Sequence, residues 1–142
     1  MSVLATEGQY ARFSALVKNS DTPEDFDFHT ELVTANEAAT PTYTLGTVLG
    51  KITASGKYIV SKQAAADGSQ VPAAIYLGNS FGQINDVTLV ATTDTKVLTL
   101  ARGKVVVALE ALKLDATFSS GAQKQFAYDS LKALGILVES SN

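Results

Sequence analysis

The chain has 142 residues, 46% hydrophobic and 18% charged, with a formal net charge of −3. That length suits one domain with a real core, and the acidic balance argues against a nucleic-acid partner, which calls for a basic stripe. Cysteine is absent, which excludes disulfides, thiolate chemistry and cysteine-ligated zinc. So little charge implies a surface of Thr, Ser, Ala and Gln, or one hidden against a partner.

The opening MSVLATEGQY lacks the basic region and apolar run of a secretory signal. The apolar run 105–109 is far below the roughly 20 residues that span a bilayer. The expectation is a soluble chain made in the cytoplasm, used without export and with no membrane partner.

Residues 1–40 differ from the rest. Tyr10, Phe13, Leu16 and Val17 offer one face of a short helix, and Thr6 with Gln9 has capping-box spacing. Gly8 would lie inside that helix at a cost of roughly 1 kcal/mol against alanine, so an extended arm is the better reading. Asp21, Glu24, Asp25, Asp27, Glu31 and Glu37 form an acidic cluster with no Lys or Arg among them. Residues 19–28, with Pro23, read as a loop, 28–34 as a short strand and 35–41 as a linker. The organisation expected is an N-terminal arm and acidic loop over 1–40, then a β-rich domain over 41–142.

From Leu45 onward the signals are β. Residues 45–53 form a strand interrupted by Gly46 and Gly50, which mark bulges or close backbone approach. Residues 54–57 make a turn and 58–60 the return strand of a hairpin. Asp67-Gly68 is a turn signal, followed by a strand over 71–77 with Pro72 at its start or edge. Residues 87–91 and 96–101 read as strands, Arg102-Gly103 as a turn, and 105–109 as the most buried strand. Ser120 and Gln123 then open a helix with a capping box, and Gly135 stands where a helix would close. Phe126, Ala127, Leu131 and Leu134 share its apolar face, and 136–138 supplies a closing strand.

No residue set carries evident chemistry. His29 lies near Asp27 and Glu31 at alternate strand positions, without a second imidazole, and reads as a solvent-facing residue. The Gly46…Gly50-Lys51 spacing is one residue short of a phosphate loop and is followed by Ile52. Lys57 at a hairpin tip invites comparison with lipoyl and biotinyl carrier domains, but its neighbours Gly56 and Tyr58 do not suit them. The stretch 21–37 lacks calcium-loop spacing and reads as a solvated, mobile loop. No cofactor, metal or catalytic residue is expected. A β-rich carbohydrate- or ligand-binding module remains the alternative, with Tyr43, Tyr58 and Tyr76 as an aromatic platform.

Five segments carry a resemblance: LGTVLGKIT from Leu45, SGKY from Ser55, DGSQVPAAI from Asp67, RGKVVVAL from Arg102 and LKALGIL from Leu131. In this order and spacing the chain resembles the phage head decoration proteins, lambda-type cement proteins of the capsid. The resemblance implies a mainly β, β-clip-like fold or small irregular barrel, with one C-terminal helix and an extended N-terminal arm. It also implies a virion location on the capsid surface, a homotrimer at three-fold and quasi-three-fold positions, and a phage major capsid protein as partner. Tyr10, Phe13, Leu16 and Val17 are the expected capsid-binding anchors. The acidic loop around Asp25 replaces the polar segment with a Ser-Arg pair that family members often carry after the arm.

Overall fold

The computed structural model describes residues 27–81 and 83–140. Its strands are β1 (Asp27–Ala35), β2 (Thr42–Tyr43), β3 (Val48–Lys51), β4 (Tyr58–Val60), β5 (Pro72–Asn79), β6 (Val87–Thr88), β7 (Thr95–Ala108) and β8 (Ile136–Glu139). A 3₁₀ turn (Leu109–Ala111) and helix α1 (Gly121–Lys132) lie between β7 and β8. The main sheet runs β1-β4-β3-β5-β7-β8, and β1 also pairs with β7, which closes the first five strands into a small barrel. The expected mainly β barrel with one C-terminal helix is the fold observed.

The closure is uneven. β1 runs antiparallel to β7 along its whole length, from Asp27 opposite Lys104 to Ala35 opposite Thr95. Its pairing with β4 is parallel and consists of Ala35 opposite Tyr58. The strand expected over 28–34 is therefore present and belongs to the barrel. The 45–60 hairpin is also present, with Leu49 opposite Val60 and Lys51 opposite Tyr58. Pro72 begins β5 as its missing N–H requires.

Other expectations need correction. Arg102-Gly103 is no turn, because β7 passes through it as one strand of 14 residues. The register against β1 shifts between His29 and Thr30, and Gly103 adopts φ +121°. A bulge and a glycine bend the strand rather than end it, which frees residues 105–108 to pair in parallel with β8. The strand expected over 87–91 is reduced to Val87–Thr88, paired with Thr42–Tyr43.

Two apolar clusters form the core. Val33, Ala35, Tyr43, Leu49, Tyr76, Leu89 and Val97 pack together in one. Ile75, Leu77, Leu100, Val105 and Val107 join Leu131 and Ile136 in the other. β5 divides its side chains between them, Tyr76 to the first and Ile75 and Leu77 to the second, so it is buried nearly throughout. Each large side chain so buried contributes about 1.5–3 kcal/mol. Val105 and Val107 are buried as expected of that segment, but Val106 between them is only half-buried, since successive strand residues face opposite ways.

Helix α1 starts as its sequence dictates. The Ser120 hydroxyl accepts from the Gln123 N–H at 3.2 Å, and Gln123 Oε1 accepts from the Ser120 N–H at 3.1 Å. Ala127 and Leu131 are buried, whereas Phe126, placed on the same face from sequence, is 46% exposed. Gly135, at φ +92°, follows the Ala133 cap by two residues. An added Cβ there would lie 2.4 Å from the Gly103 carbonyl oxygen, so the helix end seats directly on the bend of β7.

Candidate interaction surfaces

Among the described residues, those singled out for chemistry do not converge. The backbone of His29 stands opposite Arg102 in the β1–β7 ladder. Among the described residues there is no group of three His, Cys, Asp or Glu placed to hold a metal ion. Lys57 lies beside the start of β4 and its Nζ pairs with Asp94 Oδ1 at 2.9 Å, so it is a tethered cation rather than a presented carrier lysine. The glycines of the phosphate-loop look-alike face protein backbone. A Cβ at Gly50 would sit 2.0 Å from the Ser69 carbonyl oxygen, and one at Gly46 would sit 2.0 Å from that of Ala111. No anion has room there.

The aromatic platform is overturned. Tyr43 and Tyr76 are fully buried, their rings edge to face with centroids 5.6 Å apart, and Tyr58 is half-buried. Each buried hydroxyl has a partner: Tyr43 donates to Glu37 Oε2 at 2.5 Å and Tyr76 to the Asn85 carbonyl at 2.5 Å. Burial, with the Glu37 carboxylate alongside, pushes the Tyr43 hydroxyl far above the usual tyrosine range. Burial does the same to Tyr76, helped by the charge of Asp86. Neither is a group to meet a ligand.

The picture of a solvated acidic loop and linker also changes where the structure describes it. Glu37 is only 7% exposed, and the same Oε2 accepts the Val60 N–H at 2.7 Å. Glu31 lies on β1 and meets Arg102 Nη1 at 2.8 Å. Glu37 thus ties the exit of β1 to β4 where the strand ladder supplies a single pair, and its two hydrogen bonds offset the cost of burying the carboxylate.

What the surface does offer is apolar and uncharged. Among the described residues, Leu32, Val71, Phe81, Val90, Phe126 and Leu137 are the large exposed hydrophobic side chains. Phe81, 83% exposed, stands on a stapled loop in which Asn79 Oδ1 accepts from the Phe81 and Gln83 N–H groups at 3.0 and 3.1 Å. A groove of about 300 Å³ lies between the loop after β4 and the first turns of α1, lined by Gln63, Gln70, Ala122, Gln123 and Phe126. It carries no charge, whereas the grooves beside Lys113 and Lys132 do. Its amide groups and exposed ring suit contact with another protein surface. Sequence periodicity misses it because Phe126 reads as a core residue of α1.

The remaining edge feature is β1. Among the described residues, the edge turned away from β7 is paired only at Ala35. Thr30, Glu31 and Leu32 beside that edge are exposed. The sequence-derived anchors Tyr10, Phe13, Leu16 and Val17 lie outside the described residues.

Residues 20–136 match the family model of bacteriophage lambda head decoration protein D. No curated protein matches the chain.

Proposed function

The chain belongs to the bacteriophage lambda head decoration protein family, and on that premise we propose that it is a structural protein that binds the outer surface of a phage capsid. It sits there as trimers at three-fold and quasi-three-fold positions and stabilises the expanded shell. The observation that carries this reading is the reach of the match, from before β1 to the first residue of β8. The whole barrel and α1 fall inside it.

The surface supports the same reading. A decoration protein needs binding area rather than a reacting centre, and an uncharged groove with exposed apolar side chains beside it loses little on desolvation. Interfaces of ordinary size bury about 800 Å² per partner, which subunit and shell contacts together would supply. The N-terminal arm adds a strand to a sheet edge of the major capsid protein, with Tyr10, Phe13, Leu16 and Val17 as apolar anchors. Main-chain pairing satisfies the arm's backbone, and the four side chains supply the burial.

The test is to add the protein to undecorated expanded shells and image them. Density grouped in threes at the three-fold and quasi-three-fold positions, with a raised melting temperature of the shell, is the expected result. Bound density without three-fold grouping would refute the trimer, and no binding to any shell would refute the capsid role.

A further inference from the structure

The turn before β5 holds the chain's one Asp-Gly pair, Asp67-Gly68, and the sequence has no Asn-Gly pair. An Asp-Gly link rearranges readily in water, because glycine has no side chain to hinder approach to its own nitrogen. With the aspartate as the neutral acid, the Gly68 nitrogen attacks Asp67 Cγ, and its proton leaves with the carboxyl OH as water. This closes a five-membered succinimide ring. Water then adds at the ring's main-chain carbonyl and breaks the bond from that carbon to the Gly68 nitrogen. The chain now runs through Cβ and Cγ of residue 67, an isoaspartate of unchanged overall formula.

In the folded protein both reacting groups are engaged elsewhere. Asp67 Oδ1 accepts from the Ser69 N–H at 3.0 Å and from the Ser69 hydroxyl at 2.5 Å. The Gly68 N–H donates to Gln70 Oε1 at 2.9 Å. The main-chain carbonyl of Asp67 accepts from the Thr53 N–H at 2.9 Å. Ring closure has to turn the Asp67 side chain toward Gly68 and strip the proton from the Gly68 nitrogen, so it breaks the bonds to Ser69 and Gln70. The bonds from Ser69 also favour the ionised carboxylate and hold Asp67 below its ordinary range, which depletes the neutral acid. Asp67 itself is exposed, so exclusion of water gives it no protection.

We infer that Asp67-Gly68 is a backbone isomerisation site of this protein, held closed in the folded state by the hydrogen bonds of Ser69 and Gln70. What its opening does follows from what lies behind the turn. Ser69 is fully buried, and its carbonyl accepts from the Ser61 hydroxyl at 2.8 Å. That oxygen uses the space left by Gly50, where an added Cβ would lie 2.0 Å from it. Gly50 stands opposite Pro72 at the shifted end of the β3–β5 ladder. One extra backbone atom between residues 67 and 68 pushes Ser69 out of this niche. It also moves Gln70, which lines the uncharged groove beside α1.

The test holds full-length protein in mildly acidic buffer below its melting temperature, folded in one arm and unfolded by urea in the other. Isoaspartate at residue 67 is read over time by electron-transfer fragmentation, which distinguishes the two linkages. The folded protein should accumulate it about tenfold or more slowly than the unfolded chain, since closure waits for local opening. Gln70→Ala and Ser69→Ala, with cooperative melts as the check on folding, should each accumulate it several-fold faster than the folded parent. Gln70 is partly exposed, so Gln70→Ala keeps the hydrogen bonds testable if Ser69→Ala does not fold. Equal rates in the folded and unfolded parent would overturn the inference. So would folded variants that stay as slow as the parent, because the protection would then lie in other groups. The purified isoaspartate form should melt below the parent, and equal melts would overturn the displacement of Ser69.

Discussion

At the scale of single residues, Glu37 is the most consequential side chain in the described structure. Its Oε2 serves Tyr43 and Val60 together, across the seam that a single β1–β4 pair otherwise closes. Glu37→Ala leaves the buried Tyr43 hydroxyl without a partner, a loss of about 1–3 kcal/mol, and frees the partly buried Val60 N–H at a smaller cost. Urea unfolding of Glu37→Ala, Tyr43→Phe and the double variant should therefore show coupling, with the double variant less destabilised than the sum of the singles. A second residue-level prediction concerns acid. A hydrogen bond from Asn36 and the ion pair with Lys57 hold the Asp94 carboxyl below its ordinary range. Because the folded-state value is the lower one, its contribution is complete above the unfolded-state value of about 3.9 and is lost as pH falls through the folded value. The unfolding midpoint, followed from about pH 5 to pH 2, should fall less steeply for Asp94→Asn than for the parent. Asp67 is lowered too, by its hydrogen bonds from Ser69, so part of the slope should persist in that variant.

At the scale of elements, β7 organises the molecule. Its first half is flanked by β1 and β5, and its second half, beyond the bend at Gly103, pairs with β8. Val107 is fully buried in the second cluster, whereas Val106 points to the half-buried side. Val107→Asp should cost several kcal/mol by burying an unpaired charge, which is a large fraction of the typical 5–15 kcal/mol of total stability. Val106→Asp should be clearly milder. Comparison of the two by thermal melt and soluble yield tests the facing of the strand, and equal damage would show that both sides are closed. Much at this scale is legible in the sequence, because the deciding interactions are local. The Ser120–Gln123 capping box, the hairpin around residues 54–57 and the turn at Gly68 each depend on a few adjacent residues. Arg102-Gly103 reads as a turn because a glycine with positive φ serves a bulged strand as well as a turn, and only the neighbouring strands decide which.

At the scale of the whole molecule, the described strands and α1 share two apolar clusters built from residue 33 onward. Removal of residues 1–18 should leave a cooperatively folding protein, because β1 keeps its full ladder with β7. If the proposed anchors Tyr10, Phe13, Leu16 and Val17 hold the shell, the same truncation should strongly reduce occupancy on undecorated shells. Occupancy by imaging and the melt of the truncated protein read the two effects separately. Undiminished occupancy would remove the arm from the binding surface, and a truncated protein that fails to fold would place it in the core.

The linear order of residues is enough to specify the class of the fold, most of its strands and the start of its helix. Alternation, glycine and proline placement and capping act over a few residues and leave their mark in local order. The same holds for the family, since the order and spacing of five short segments carry the resemblance on their own. Which polar and aromatic residues lie inside is a different matter, settled by the closed barrel alone. Tyr43 and Tyr76 look like a binding platform until their hydroxyls are seen to be satisfied within the barrel, and Glu37 looks like a solvated acid until Val60 and Tyr43 are found against it. A polar group is buried or exposed according to partners distant in the chain, and those partners exist only once the barrel has closed.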